Sequence, residues 1–237
     1  MAKPDWTKFR GYWNLDEAGG SNAIDSTANG NELVETLGTI ESTEGGRDLE
    51  LGETEYFAIA DNASLSFADV EMTFGIWGKL ESQATTQYIM SKYDRGIDQR
   101  AYALVYVTGA DRYVLYIDDN GTGATSVTAN NYGAVPATTK AFIMGWHDPV
   151  ANKIYISVNN GAANEAAHAG GILDNTAPFA IGTTFDNTAA ELWLDGIVWS
   201  GFVYAGLMTA GEKTWLYNAG VPRKWSEIYF VPKAIMI

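Results

Sequence analysis

The 237-residue chain contains no cysteine. Neither a disulfide nor a thiolate-held metal therefore contributes to it, which leaves packing, hydrogen bonds and oxygen-liganded ions, and cysteine usage does not define the compartment. Histidine is almost as scarce. With only His147 and His168 present, a serine triad has little to draw on and a cysteine nucleophile is excluded. His147, just before Asp148-Pro149, reads as a turn histidine rather than a polarised base. Basic residues are also in deficit: fifteen Lys and Arg face twenty-nine Asp and Glu, a net charge of −14. Such a chain repels phosphate backbones and lacks the counterion-release term, so nucleic acid is not an expected partner. No apolar run approaches the roughly eighteen residues of a membrane span, and no signal-peptide core follows the first charges. A soluble, unprocessed chain is expected.

What is present is alternation. Across residues 71–80, Met72, Phe74, Ile76 and Leu80 fall on one face and Glu71, Thr73, Gly75, Trp77 and Lys79 on the other, the pattern of a half-buried strand. The same period recurs at 112–118 and 153–158. Asn120-Gly121 and Asn160-Gly161 follow these two segments, and residues that tolerate positive φ there predict hairpins and antiparallel pairing. Further strands are expected at 11–16, 56–60, 87–92, 101–107, 141–147 and 191–204. The alanine- and glycine-rich residues 161–171 fit an edge strand or a loop equally.

Helical periodicity is nearly missing. Thr209-Ala210-Gly211-Glu212 is a capping box, and Ala219-Gly220 with Pro222 supplies a stop, so one short C-terminal helix of about two turns is predicted. Many short strands with frequent turn residues point to an all-β, two-sheet antiparallel β-sandwich. At 25.7 kDa one domain can bury roughly 70% of its unfolded surface, enough without covalent staples.

The motifs carry a resemblance. Tyr12-Trp13-Asn14-Leu15-Asp16-Glu17 followed by Asp25-Ser26-Thr27-Ala28-Asn29-Gly30-Asn31 is similar to the opening signature of laminin-G-like jelly-roll modules. Thr73-Phe74-Gly75-Ile76-Trp77, Trp146-His147-Asp148 and Leu216-Tyr217-Asn218-Ala219-Gly220 resemble later parts of the same modules. The resemblance implies a lectin-like jelly roll over residues 1–220, with residues 221–237 as an apolar C-terminal extension. Fold does not define function, because this fold serves sugar-binding modules, adhesion domains, enzyme accessory domains and virion proteins. Where these modules carry an acidic pair and an arginine before the last helix, this chain has Val198-Trp199-Ser200 and Gly206. An ion site or salt bridge resting on that pair is not implied.

Glycoside hydrolases with related sandwiches place two acids in a Glu-x-Asp-x-x-Glu spacing, and no such spacing occurs. Asp48, Glu50 and Glu53 read as solvated strand-edge charges. Glu191 and Asp195 share a predicted strand face, but about 13 Å separates their α-carbons, too far for a retaining pair. The chain is expected not to be an enzyme. A structural calcium is the one ion the turns leave room for, at residues 25–31 and less so at Asp118-Asp119-Asn120, against the simpler reading of Asx turns bonding their own backbone.

Eight Trp and thirteen Tyr supply both core and candidate platforms. Tyr93, in Ser91-Lys92-Tyr93-Asp94-Arg95, and Tyr132, in Asn130-Asn131-Tyr132-Gly133, stand beside predicted loops and are the expected ligand-binding rings for a glycan. The mostly apolar residues 221–237 are expected either to strap the chain's own sandwich or to dock on a neighbouring subunit, as a homo-oligomer or in a capsid or tail. Together these features favour a non-catalytic binding or structural module at a virion surface, as a bacteriophage-type decoration or attachment protein. The alternative is a carbohydrate-binding or adhesion module of a larger bacterial extracellular protein. A glycan-active enzyme is the third reading.

Overall fold

Period-two alternation has paired into two stacked sheets. The computed structural model describes residues 2–36 and 38–229. The first strands in chain order are β1 (Phe9–Trp13), β2 (Val34–Thr36), β3 (Glu41–Thr43), β4 (Gly46–Leu49), β5 (Tyr56–Ile59) and β6 (Met72–Leu80). Next come β7 (Gln87–Asp94), β8 (Gln99–Val107), β9 (Arg112–Ile117), β10 (Thr125–Thr128), β11 (Ala141–Asp148) and β12 (Lys153–Val158). The last are β13 (Asn164–Ala167), β14 (Phe179–Ile181), β15 (Thr184–Asp186), β16 (Ala189–Glu191) and β17 (Gly196–Tyr204).

One sheet has the order β13-β12-β11-β6-β17-β4-β3, and the other β10-β9-β8-β7-β14-β5-β2. Pairing is antiparallel among the described residues, apart from a single parallel bridge between Phe185 of β15 and Asp94 of β7. A register shift in β17 between Val198 and Gly201 lets one long strand take β4 along its first half and β1 along its second. The result is the lectin-like jelly-roll sandwich with a short C-terminal helix.

Between the sheets, Phe74, Ile76, Ile143 and Ile156 of the first face Tyr102, Leu104, Leu115 and Phe179 of the second, all almost fully buried. Each such side chain contributes about 1.5–3 kcal/mol on leaving water. Strand β6 is not half-buried as its alternation predicts; all nine of its residues are buried. Its outer face lies under α1 (Ala210–Tyr217) and the segment after it, where Trp77 stacks on Phe142 (5.0 Å, 24°) and on Tyr217 (5.8 Å, 10°). The capping box at Thr209 and Glu212 forms as predicted, and the chain leaves α1 through a 3-10 turn, Asn218–Gly220.

Two local expectations shift. The β12–β13 connection turns on Asn159 and Asn160, both at positive φ, with Gly161 N–H bonding Val158 O, so the left-handed pair lies one residue earlier than predicted. Residues 161–171 include the edge strand β13. The single strand expected over 191–204 is broken at Leu192, whose φ of 52° cannot continue a strand, into β16 and β17.

Candidate functional site

Past Gly220 the chain runs back across the outer face of the first sheet as a strap. Arg223 accepts a bond at its carbonyl from the buried Tyr12 hydroxyl (2.6 Å), and burial holds that phenol protonated well above the usual tyrosine range. Lys224 pairs with Asp16 (2.7 Å), and Trp225 N–H donates to Asn14 Oδ1 (2.9 Å). The strap then forms one turn, α2 (Trp225–Ile228), which buries Ile228. Burial works to raise the Glu227 carboxyl, but bonds from Lys224 N–H and Arg223 outweigh it and hold it below the usual range.

The strap meets the other end of the chain. Asp5 caps a 3-10 turn, Trp6–Lys8, by accepting from Thr7 N–H (3.0 Å), and this turn holds Trp6 against the strap. The Trp6 ring stands edge-on to Tyr229 (4.8 Å, 79°), and Tyr229 lies parallel to Trp225 (6.1 Å, 7°). These three rings wall a half-open cleft of about 320 Å³, with Phe9, Ser26 and Thr27 also lining it. Trp6 is 47% exposed and Tyr229 38%, so ring faces remain available to a ligand. Among the described residues no charged side chain lines the cleft. Aromatic faces beside hydroxyls suit a molecule with an apolar face and a polar rim.

The two rings singled out from sequence lie elsewhere and apart. Tyr93 is in β7 rather than a loop, 5% exposed on the outer face of the second sheet, packed with Tyr88, Ala103 and Val105. Its face is covered; burial raises its phenol to about 12, and the hydroxyl is the part left to offer. Tyr132 is half-buried against the central core, tilted on Tyr113 at 6.1 Å. Sequence reasoning missed Trp6 and Trp225, because nothing local in either segment marks the other as its neighbour. The only available signal was the apolar composition of the extension.

The acids behave differently from expectation. Asp48 and Glu50, at β4, are joined by Glu81 from the end of β6, with carboxylate oxygens within 4.8 Å of one another. Asp48 and Glu50 edge a cavity of about 510 Å³, which Glu53 and Glu55 also line and which has no aromatic wall among the described residues. Burial, then the charges of Glu81 and Glu50, push Asp48 up to about 6. Lys79 offsets part of this charge through Glu81 (3.1 Å) and Glu44 (2.8 Å). With no ring to hold a sugar, the cluster can take up a proton but has no platform for substrate. Glu191 pairs with Arg95, while Asp195 lies beyond the break in the predicted strand, where its backbone N–H donates to Gln87 Oε1 (3.0 Å).

The expected calcium turn is occupied by its own chain. Asp25 Oδ1 accepts from Tyr12 N–H (3.1 Å) and Thr27 N–H (2.9 Å), and Oδ2 from the Thr27 hydroxyl (2.9 Å) and Asn31 N–H (2.9 Å). Four donors surround the carboxylate, so it serves as a turn anchor rather than a cation ligand. Asp118 Oδ1 likewise accepts from Asn120 and Gly121 N–H.

No protein-family model matches the chain, and no curated protein does. Solved structures do. The chain is similar to domain 4 of AbnA, an extracellular GH43 arabinanase of Geobacillus stearothermophilus, in complex with arabinotriose, at 15% identity and a TM-score of 0.65 over 89% of this chain and 98% of that one. It is similar to the CBM40 domain of the Ruminococcus gnavus IT-sialidase bound to α2,3-sialyllactose, at 12% identity and a TM-score of 0.55 over 76% and 95%. It also matches the ligand-binding domain of botulinum neurotoxin serotype D in complex with N-acetylneuraminic acid, at 8% identity and a TM-score of 0.59, covering 91% of this chain and about half (52%) of that one. The chain shares its fold with these domains. At such identities the likeness is one of fold alone. Among the described residues no helix is long and apolar enough to cross a membrane.

Proposed function

We propose that this chain is a non-catalytic binding module that takes a neutral glycan in the cleft between Trp6, Trp225 and Tyr229. The cleft itself carries the reading. A pyranose or furanose has an apolar C–H face that stacks on an indole or phenol ring, while its hydroxyls reach the serine and threonine rim. The uncharged lining favours neutral sugars over acidic ones. Sandwich neighbours solved with saccharides support the same class of ligand. The laminin-G-like affiliation, resting on residues 12–17 and 25–31, belongs to this proposal.

Calorimetric titration with arabinotriose, cellotriose, maltotriose and 3′-sialyllactose tests it. A neutral trisaccharide is expected to bind, and Trp6→Ala or Tyr229→Ala to weaken it about tenfold, or roughly 1.4 kcal/mol, at unchanged melting temperature. Loss of binding in Tyr93→Phe or Tyr132→Ala instead would move the site to the rings expected from sequence. A chain that binds none of the four sinks the reading.

The carrier we propose is a virion surface, on which a decoration or attachment protein would present the cleft; a larger bacterial extracellular protein is the alternative. The mostly apolar composition of the extension supports an assembly role; its residues 230–237 lie outside the described residues. Light scattering of the full chain and of a chain ended at Tyr229 decides this. A larger mass only in the full chain supports association through the extension, and equal monomer masses remove it.

A further inference from the structure

Three aliphatic hydroxyls line the cleft, and two have their protons committed. Thr7 donates to Asp5 Oδ1 (2.7 Å), and Thr27 to Asp25 Oδ2 (2.9 Å). Ser26 Oγ accepts from Asn14 Nδ2 (3.3 Å) and donates to no group among the described residues. The asparagine's orientation is dictated by its other contact. Trp225 N–H is a donor only, so the atom facing it at 2.9 Å is the amide oxygen, and the NH₂ group is left to face Ser26. With its lone pair engaged by that NH₂, the Ser26 proton is free to point into the cleft.

We infer that Asn14 is the positioning residue of the cleft, holding Ser26 as a hydrogen-bond donor to a glycan oxygen and seating Trp225 as the wall on which the sugar stacks. This rests on the glycan reading of the cleft. One amide thereby joins the polar contact to the aromatic one. The wall comes from a strap whose other anchors include the Tyr12–Arg223 bond, a bond from Arg223 Nε to Trp215 O (3.1 Å), contacts of the Trp225 ring with Phe9 (5.5 Å) and Tyr12 (5.4 Å), buried Ile228, the exposed Lys224–Asp16 pair, and a bond from Lys3 Nζ to Glu227 O (2.7 Å). An exposed pair contributes little. Ligand binding and strap seating are then linked, and by reciprocity each strengthens the other.

Hydrogen exchange and calorimetry on the full chain separate the two halves. Asn14→Ala is expected to speed exchange of the Trp225 and Tyr229 amides about five- to tenfold while β6 amides keep their wild-type rates. Asn14→Asp retains an acceptor for Trp225 N–H but offers no donor to Ser26 and draws the serine proton inward. It is expected to leave strap exchange at the wild-type rate and to weaken the tightest-binding neutral trisaccharide about tenfold, as does Ser26→Ala, with no further loss in the double variant. Wild-type affinity in Asn14→Asp overturns the donor half, and unchanged strap exchange in Asn14→Ala overturns the seating half. A wild-type chain that binds none of the trisaccharides overturns the glycan reading and the donor half together, while exchange still decides the seating.

Discussion

The Lys92 ammonium lies 2.6 Å from the Asp61 carboxylate and donates to the carbonyls of Asn175 (3.0 Å) and Ala177 (2.8 Å), in a lysine with no exposed surface. These contacts hold a cation on β7 inside the sandwich, where an unpaired charge is costly. Asp61→Asn is expected to cost about 2 kcal/mol, less than a fully buried pair because the Asp61 side chain is partly exposed. Urea unfolding checks it, and a midpoint equal to wild type would mean that the two carbonyls alone satisfy the lysine.

Acid should weaken the fold through His147. Burial holds this ring neutral and lowers its pKa; its Nδ1 faces Val70 O (3.0 Å), Asp69 lies 4.0 Å from Nε2, and His168 and Asp148 are its other ionisable neighbours. The unfolded chain takes up this proton near pH 6.5 and the folded chain only below that, so stability falls as pH drops through about 6.5. His147→Asn, which can still donate to Val70 O, removes this contribution, so the urea midpoint of the variant relative to wild type is expected to rise between pH 7.5 and 5.5.

Asp48 acts with the opposite sign. Its carboxyl is held up to about 6 by burial and by Glu81 and Glu50, so the folded state binds the proton more tightly than the unfolded one. Stability from this group is greatest below about pH 4 and is lost as pH rises to about 6. Asp48→Asn is expected to stabilise the chain by about 1 kcal/mol at pH 7.5, after allowance for solvent screening, and to do nothing at pH 3.5. Thermal melting at the two pH values is the measurement.

The capping box offers a test of the cover over β6. Thr209 Oγ1 accepts from Glu212 N–H (3.3 Å), and Glu212 returns a bond to Thr209 N–H (2.7 Å). Thr209→Ala is expected to cost about 1 kcal/mol. If α1 holds the outer face together, the same variant should raise exchange at Trp215 and Leu216 more than at β7, and uniform loss across both sheets would contradict that.

Much of this was legible along the chain. Alternation at 71–80, 112–118 and 153–158 located β6, β9 and β12 because side chains on opposite strand faces meet different surroundings, a local property. The capping box at Thr209 is local too, since donor and acceptor lie three residues apart. The burial of Trp77 was not legible, because alternation reports one covered face and cannot reveal a helix returning to cover the other. Tyr93 was misplaced for a related reason: Asp94 and Arg95 beside it resemble a loop, yet β7 continues to Asp94, whose carboxylate accepts from Gly96, Asn187 and Thr188 N–H.

The sequence by itself determined the all-β class, the antiparallel pairing, the capped helix at 210–217 and the exclusion of cysteine chemistry, because each follows from composition or from neighbours a few residues apart. Only the tertiary structure decided which residues wall the candidate cleft. Trp6 and Trp225 come from opposite ends of the chain, and Asn14 finds Trp225 only after two sheets have closed and the strap has crossed β1. Chain spacing carries no record of such contacts, since they arise from the path of the fold rather than from the period of any one strand.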